Sequence, residues 1–500
     1  MKLNFTRVST VSVLLIVGFV LLLNWGDSNS GVDGGVAPLR LYCAAGMRRP
    51  VEKIIAQYTA EFGVGVETSF AGSGTLLSSM RAAGGDLYLA ADIAYMDDAR
   101  RFGLIREVAP IAWQSPVIAV RQGNPKNIQG LADLWRDDVQ TSIASPEEAA
   151  ISRVAKKALS GTGHWYAIWD AKHVARDTVN AVANDIKLAS ADAGIIWDAT
   201  AKQYPDVEIV RVAEFDAAPN QIAIAVMQSS EQPAQVLHFL RYLTARDRGL
   251  KIFQELGFNV VDGDLWADRP EISLFSGGLN QPAVEETVRQ FAQREGVTVN
   301  ATYDGCGNLV GRMRTELVPD LFFSCDEPYM NQVEDWFDDA RDVCQTEMVI
   351  IYHKNNADRL KINGLSDLAR VGLKVGVCHP QQSALGARTK RLLDKHGLWE
   401  DVYKNVKDTP PTAHNLLQHV VIDSLDVAIV YKANTSEQAK NLVIVPIDDP
   451  DAHAVQPIAV SRESNHRYLA TRLLEQIRSA ESKATFERLD FQWLGESPAP

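Results

Sequence analysis

A short glycine-rich segment is the part of this sequence best suited to bind a ligand. Gly72-Ser73-Gly74-Thr75 stands between a predicted strand and a predicted helix. Glycine lets the backbone approach a ligand closely, and the first turn of a helix presents unpaired N–H groups at the positive end of its dipole. The hydroxyls of Ser73 and Thr75 add two donors. The segment favours an anion site, although the same residues also suit a plain turn that caps a helix.

The segment is neither a nucleotide-binding loop nor part of a catalytic group. It is too short for a P-loop and lacks the lysine of that loop. The histidines lie in different contexts, and no nucleophile–base pair or HExxH spacing occurs in the sequence. The sequence therefore predicts a binding protein with no catalytic residues, no resident metal and no cofactor.

The glycine-rich segment occurs twice because nearly the whole chain is a tandem duplication. Gly305-Cys306-Gly307-Asn308 repeats it, and Asp320-Leu321 later repeats Asp86-Leu87 after a one-residue insertion. Units of this length are whole globular domains. We define the first repeat as residues 37–266 and the second as residues 267–500, with the junction at Asp262–Pro270.

Composition limits the classes of partner. The chain has 500 residues and a net charge of −13, which argues against nucleic acid. Its five cysteines are too few for a disulfide scaffold. We expect a monomer that does not bind nucleic acid.

Residues 1–36 predict export. Lys2 and Arg7 precede the apolar stretch Val11–Leu23, which is shorter than the ~20 residues of a membrane span. Ser28-Asn29-Ser30 offers a cleavage site. The sequence leaves open a cleaved signal peptide, which gives a periplasmic protein, or an uncleaved anchor that holds it at the outer face of the cytoplasmic membrane.

Short apolar strands alternate with amphipathic helices in both repeats, which predicts an α/β fold with largely parallel sheets. Leu39–Ala45, Ser69–Leu76 and Gly85–Asp92 resemble the periplasmic molybdate-binding proteins of ABC importers, as do Ser145-Pro146-Glu147 and Ala193–Trp197. The resemblance implies two tandem bilobal domains of the type II periplasmic-binding fold, each with a cleft that closes by hinge motion.

The resemblance also implies a function. The chain would be an extracytoplasmic solute-binding protein of an ABC importer that holds a tetrahedral oxyanion, molybdate or tungstate, and presents its closed form to a permease. Two alternatives stay open. One is another solute, such as sulfate, a phosphonate, or a metal ion in the second repeat. The other is a membrane-tethered sensor.

Family members hold the anion through hydroxyls, backbone N–H groups and an aromatic hydroxyl, without a formal positive charge. Together with Thr75, the resemblance selects these residues in the first repeat: Gly46, Ser73, Ile151, Val179 and Trp197. The corresponding residues of the second repeat are Leu279, Cys306, Asn308, Leu385, Ala413 and Tyr431.

Both sets depart from the family pattern. Gly46 lacks the usual serine hydroxyl, and Trp197 replaces the usual tyrosine. Arg48 and Arg49 follow the first loop, where they supply charge to the site or simply begin a solvated helix.

In the second repeat Cys306 is a poor donor and Leu279 adds apolar bulk, so we expect weaker molybdate binding there. Cys306, Cys325 and Cys378 are all predicted near strand ends facing one cleft. They suit a soft-metal site, a disulfide or plain packing. The disulfide state of Cys344 also stays open.

Overall fold

The computed structural model describes residues 37–171 and 173–495. Each repeat forms a bilobal α/β unit, so the predicted fold is confirmed. The apolar stretch Val11–Leu23 lies outside the described residues. None of the helices that the structure describes is long and apolar enough to cross a membrane.

The first repeat is built from two sheets, one in each lobe. Its strands are β1 (Leu39–Ala44), β2 (Val66–Ala71), β3 (Leu87–Ala90), β4 (Ile105–Gln114), β5 (Pro116–Arg121), β6 (Thr141–Ala144), β7 (His173–Arg176), β8 (Ala193–Trp197), β9 (Val207–Val210), β10 (Asn220–Met227) and β11 (Asn259–Val260). Its helices are α1 (Arg48–Phe62), α2 (Ser73–Ala83), α3 (Ala94–Arg101), α4 (Ala150–Ala158), α5 (His164–Asp170), α6 (Val179–Lys187), α7 (Asp198–Ala201), α8 (Ala213–Asp216), α9 (Pro233–Thr244) and α10 (Gly249–Glu255). The strand order is β11-β4-β10-β3-β1-β2 in the first lobe and β7-β6-β8-β5-β9 in the second.

The second repeat has a similar succession of strands and helices. Its strands are β12 (Glu271–Gly277), β13 (Thr298–Asp304), β14 (Leu321–Phe323), β15 (Arg341–His353), β16 (Val375–Gly376), β17 (Val406–Asp408), β18 (Val427–Tyr431), β19 (Leu442–Pro446), β20 (His453–Val460) and β21 (Gln492–Trp493). Its helices are α11 (Gln281–Glu295), α12 (Cys306–Thr315), α13 (Glu327–Asn331), α14 (Ala357–Leu360), α15 (Ala384–Lys395), α16 (Trp399–Tyr403), α17 (Ala413–Val421), α18 (Arg467–Ile477) and α19 (Ala480–Arg488). Here the strands join into one path, β13-β12-β14-β20-β15-β18-β16-β17, with β19 and β21 also paired to β15.

The lobes are connected differently in the two repeats. In the first repeat, β4 ends at Gln114 and β5 starts at Pro116. Proline has no N–H to continue the hydrogen bonds of a strand, but it is tolerated as the first residue of a new strand. The second repeat has Ile350 at the corresponding position, and the 13-residue strand β15 runs through both lobes. Its first part pairs with β20 and its second part, from Met348, pairs with β18.

Each repeat has its own hydrophobic core. One cluster of buried side chains extends from Leu39 to Phe258 and the other from Ile272 to Phe491. Helix α1 of the first repeat shows how the sequence builds such a core. Val51 and the buried residues one helical turn from it face the sheet, and α1 ends where Gly63 takes a left-handed φ of 70°. The two cores therefore belong to two separately packed units.

A buried ion-pair cluster joins the repeats. The carboxylate of Glu295, at the end of α11, lies 3.2 Å from Arg241 on α9 and 2.9 Å from Arg472 on α18. Beside it, the side chain of Asp264 accepts hydrogen bonds from the N–H groups of Tyr468 (2.8 Å) and Leu469 (3.0 Å). Separating such groups would leave buried charge unpaired, so the cluster fixes one repeat against the other.

Candidate functional site

Three helices of the first repeat begin at the same point of the cleft between its lobes. The N-cap residue of α2, Gly72, packs so closely that a Cβ built on it would overlap the carbonyl oxygen of Glu148 and lie 2.9 Å from that of Asp177. These two residues lie two positions before the first residues of α4 and α6. The N–H of Gly74 also donates to the Glu148 carbonyl across the lobes, at 2.9 Å. The start of α2 thus meets the starts of α4 and α6.

This arrangement favours negative charge in the first cleft. None of α2, α4 and α6 has an acidic residue in its first turn. Each helix N-terminus carries the equivalent of roughly half a positive charge, so three of them at one point favour negative charge there.

Ser73 is the buried hydroxyl at this point. It is only 1% exposed, and its Oγ accepts a hydrogen bond from the N–H of Ala91 at 3.2 Å. Its carbonyl accepts another from the hydroxyl of Tyr88 at 2.9 Å. The Ser73 proton therefore stays available for a ligand. Thr75, one residue beyond Gly74, is the exposed member of the predicted set.

Gly46, which follows β1 in the first lobe, meets Val179 and Trp197 of the second lobe across the cleft. A Cβ on Gly46 would lie 3.3 Å from Val179 Cγ1 and 3.8 Å from Trp197 Cδ1. Ile151 is buried in the first turn of α4. The structure thus brings three of the predicted residues into one cluster and places a fourth at an adjoining helix start.

Thr200 belongs to the same cluster, and the sequence analysis missed it. Its Oγ1 would lie 3.3 Å from a Cβ on Gly46, and this hydroxyl is buried without a hydrogen-bond partner among the described residues. Asn434, the corresponding residue of the second repeat, also has a buried oxygen without a partner there. A polar residue three positions after the aromatic in both repeats was the signal that the sequence offered.

The two arginines after the first loop lie at the solvent side of α1. Arg48 is exposed, stacks over the ring of Phe70 at 4.1 Å and pairs with Glu52. Arg49 donates a hydrogen bond to the carbonyl of Gln203 in the segment after α7. Both guanidinium groups therefore already have partners of their own within the chain.

The second cleft contains a cavity of about 220 Å³. Five of the six residues predicted for it line this cavity: Leu279, Cys306, Leu385, Ala413 and Tyr431. Asn308 does not, because its amide group donates instead to both carboxylate oxygens of Asp304 at 3.2 Å. The hydroxyl of Tyr431 is buried without a partner among the described residues, and burial raises the pKa of Tyr431 well above its usual value. It is therefore a neutral donor.

Asp304 is the main charged feature of the second cleft, and it too was missed. It lines the cavity at the position that Ala71 occupies in the first repeat. Its carboxylate accepts a hydrogen bond from the N–H of Gly305 at 2.6 Å, directly before α12. The three helix starts of this cleft meet as in the first, since a Cβ on Gly305 would lie 2.8 Å from the Pro411 carbonyl oxygen. Here, however, a carboxylate of the chain already lies at that point.

Cys306 takes the position of Ser73 and makes the same hydrogen bond to the backbone. Its Sγ accepts a hydrogen bond from the N–H of Cys325 at 3.2 Å, as Ser73 does from Ala91. All five cysteines are unpaired. The predicted grouping of Cys378 with these two is wrong. Cys378 is buried and does not line the cavity, and the described residues hold no group of three or more metal-ligating side chains.

An ion pair holds the lobes together in each repeat. In the first, Arg153 on α4 lies 2.7 Å from Asp98 on α3, and its side chain is 39% exposed. In the second, Arg388 on α15 lies 2.7 Å from Asp326 next to α13, and both side chains are buried. The closed arrangement of the second repeat thus depends on a buried charge pair, whereas that of the first depends on one that solvent reaches.

Comparison with known proteins identifies the family of this chain. The family model described as "Bacterial extracellular solute-binding protein" matches residues 39–259 and again residues 272–491. A molybdate-binding protein of Mycobacterium tuberculosis is 29% identical over 255 residues, which cover 50% of this chain and 95% of that protein. A putative ABC transporter substrate-binding lipoprotein of Bacillus subtilis is 26% identical over 229 residues, covering 44% of this chain and 85% of the relative.

Two solved structures are also similar. The periplasmic molybdate-binding protein of Azotobacter vinelandii is 14% identical with a TM-score of 0.39, covering 45% of this chain and 100% of that one. The sulfate-binding protein of Mycobacterium tuberculosis is 20% identical with a TM-score of 0.39, covering 45% and 88%. Since the family model matches two consecutive stretches that together cover most of this chain, the chain belongs to the bacterial extracellular solute-binding proteins and carries two copies of their domain.

Proposed function

We propose that the chain is the extracytoplasmic receptor of an ABC importer and that its first cleft binds a tetrahedral oxyanion, molybdate or tungstate. The observation that carries the proposal is the meeting of three helix N-termini whose first turns have no acidic side chain. The ligand would receive hydrogen bonds from Ser73 and from backbone N–H groups at Gly46, Ile151 and Val179. Trp197 and Thr200 would complete the second lobe's side of the site.

The donor set suits an anion that carries no proton. A fully ionised oxyanion has only acceptor oxygens, so it can accept from every neutral N–H and O–H donor of the site. Each buried donor that stays unmatched costs free energy. The relatives named for molybdate binding support this anion class. The sulfate-binding protein of similar fold makes sulfate the control that the experiment must include.

The division of the chain follows from the same proposal. Residues 37–266 would form the first receptor domain and residues 267–500 the second, with residues 1–36 directing export. The first domain would close over its anion and offer that closed surface to the permease. We propose that the chain acts as a monomer, since each cleft is formed within one repeat.

The test is calorimetric titration of the full chain with molybdate, tungstate, sulfate and phosphate. We expect one equivalent of molybdate or tungstate per chain. A ligand that binds only the folded state adds about 2.7 kcal/mol of stability at a hundredfold excess over its dissociation constant, so the melting temperature should also rise.

Two matched variants identify the cleft. A Cβ on Gly74 would overlap the carbonyl oxygen of Glu147, and one on Gly307 would overlap that of Gln381. Each substitution to alanine therefore hinders closure of one cleft only. Gly74→Ala should weaken binding by about 1–3 kcal/mol, and Gly307→Ala should leave it unchanged. Heat from none of the four anions would refute the proposal, and loss in Gly307→Ala alone would move the site to the second cleft.

A further inference from the structure

We propose that the second cleft is a soft-metal site, in which the thiols of Cys306 and Cys325 hold one thiophilic cation of the Cu(I) or Ag(I) class. The site is separate from the oxyanion cleft of the first repeat, and its test does not depend on the proposed function.

The two sulfurs lie against one small space beside β12. A Cβ built on Gly277, the last residue of that strand, would overlap Cys325 Sγ and lie 2.9 Å from Cys306 Sγ. The two sulfurs therefore pack side by side against Gly277. Two neighbouring thiol sulfurs are the ligands that a two-coordinate soft cation takes.

The same positions in the first repeat show that this space depends on three linked differences. Gly277 stands where the first repeat has Ala44, Cys325 where it has Ala91, and Cys306 where it has Ser73. Loss of the methyl group from β12 makes room for the sulfur of Cys325, which then lies beside the thiol of Cys306. The three differences together bring two thiols side by side where the first repeat has a single hydroxyl.

The thiols lie at the ligand side of the domain. Both cysteines line the cavity of about 220 Å³ between the lobes, together with Leu279 and Tyr431. A cation that enters the open cleft would reach them before the lobes close.

A backbone N–H already points at one of the two sulfurs. Cys306 Sγ accepts the N–H of Cys325 at 3.2 Å and faces the hydroxyl of Ser324 at 3.8 Å. These donors would also face the negative charge of a metal-bound thiolate at Cys306.

The charge of the cavity selects against oxyanions and for cations. Asp304 lines it, and neither lysine nor arginine is among its lining residues. His414 and the two tyrosines Tyr303 and Tyr431 are the other titratable groups there. Thiolates bind soft ions, and a site with two sulfurs suits a linear monovalent cation better than tetrahedral zinc, which takes four ligands. On binding, the cation displaces the two thiol protons to solvent and forms two metal–sulfur bonds.

The experiment uses the full chain, with its thiols reduced, in the absence of oxygen and after removal of the reductant. Silver(I) and copper(I) are the probes. We expect one equivalent to stay bound after desalting, a thiolate-to-metal charge-transfer absorption in the ultraviolet, and a higher melting temperature. Cys306→Ser and Cys325→Ala should each lose the bound equivalent, and Gly277→Ala should lose it without removing either sulfur.

Two controls separate the site from the other thiols and from misfolding. Cys344→Ala and Cys378→Ala remove buried cysteines outside the cavity and should retain the metal. Cys306→Ser reproduces the residue of the first repeat, so it should fold, as circular dichroism would show. No retained metal in the native chain would overturn the proposal. Retention by Cys306→Ser or by Cys325→Ala would overturn it equally, because the pair would then not be the site.

Discussion

The two clefts share one backbone and differ in the chemistry they offer. Both bring three helix N-termini together at a glycine-rich turn, and both place a residue that accepts a strand-end N–H at 3.2 Å in the same position. In the first cleft that residue is Ser73, and Ala71 precedes the turn. In the second it is Cys306, and Asp304 precedes the turn. If the two proposed ligands are right, a few side chains set the ligand class on a backbone that accommodates either choice.

The largest contrast that we predict concerns the pairs that close the lobes. Arg388→Ala would leave the carboxylate of Asp326 buried without its partner, which costs about 3–5 kcal/mol. Arg153→Ala in the first repeat removes a pair that solvent reaches, worth about 0–1 kcal/mol. Denaturant unfolding of the full chain measures both. Similar losses for the two variants would show that the two repeats are closed by equally strong contacts.

The next effect concerns the hydroxyl of Ser73. Ser73→Ala should weaken oxyanion binding by roughly 1–3 kcal/mol, because one buried donor is lost from the anion. Calorimetric titration measures the change, and Cys306→Ala is the matched variant that should leave it unaltered. An unchanged affinity in Ser73→Ala would mean that backbone N–H groups alone hold the ligand.

The molybdate affinities of the two clefts can be compared within one chain. Comparing molybdate titrations of Gly74→Ala with and without Gly307→Ala isolates the binding in the second cleft. We expect binding there to be at least about tenfold weaker than in the first cleft, since Leu279 and Cys306 replace polar neighbours with apolar ones. Equal affinity in the two clefts would show that side-chain donors matter less than helix N-termini.

The smallest predicted effect isolates charge. Ala71→Asp introduces into the first cleft the carboxylate that Asp304 supplies in the second, and should weaken oxyanion binding by about 1 kcal/mol or more. Ala71→Asn has the same shape without the charge and serves as the control. If both variants bind the anion equally well, the carboxylate does not explain the difference between the clefts.

The sequence predicted the two bilobal domains because the duplication and the strand–helix alternation repeat over the whole chain. It also selected five of the residues that line the cavity of the second cleft, since positions such as Leu385, Ala413 and Tyr431 could be placed by counting from the first repeat. It missed Thr200 and Asp304, because their roles come from packing across the lobes and from a hydrogen bond at a helix start. It misplaced Cys378, because a position near a strand end does not say which way a side chain points.

The unbroken strand β15 also bears on how long a ligand stays. A two-lobed receptor opens by changing backbone angles at a few residues between the lobes. In the first repeat Ser115 lies between two strands and can take up that change, whereas the second repeat must bend β15, which is hydrogen-bonded to β18 and β19 on its two sides. We therefore expect the second cleft to exchange its contents more slowly. The first cleft would then exchange its ligand rapidly, and the second would hold a bound ligand for longer.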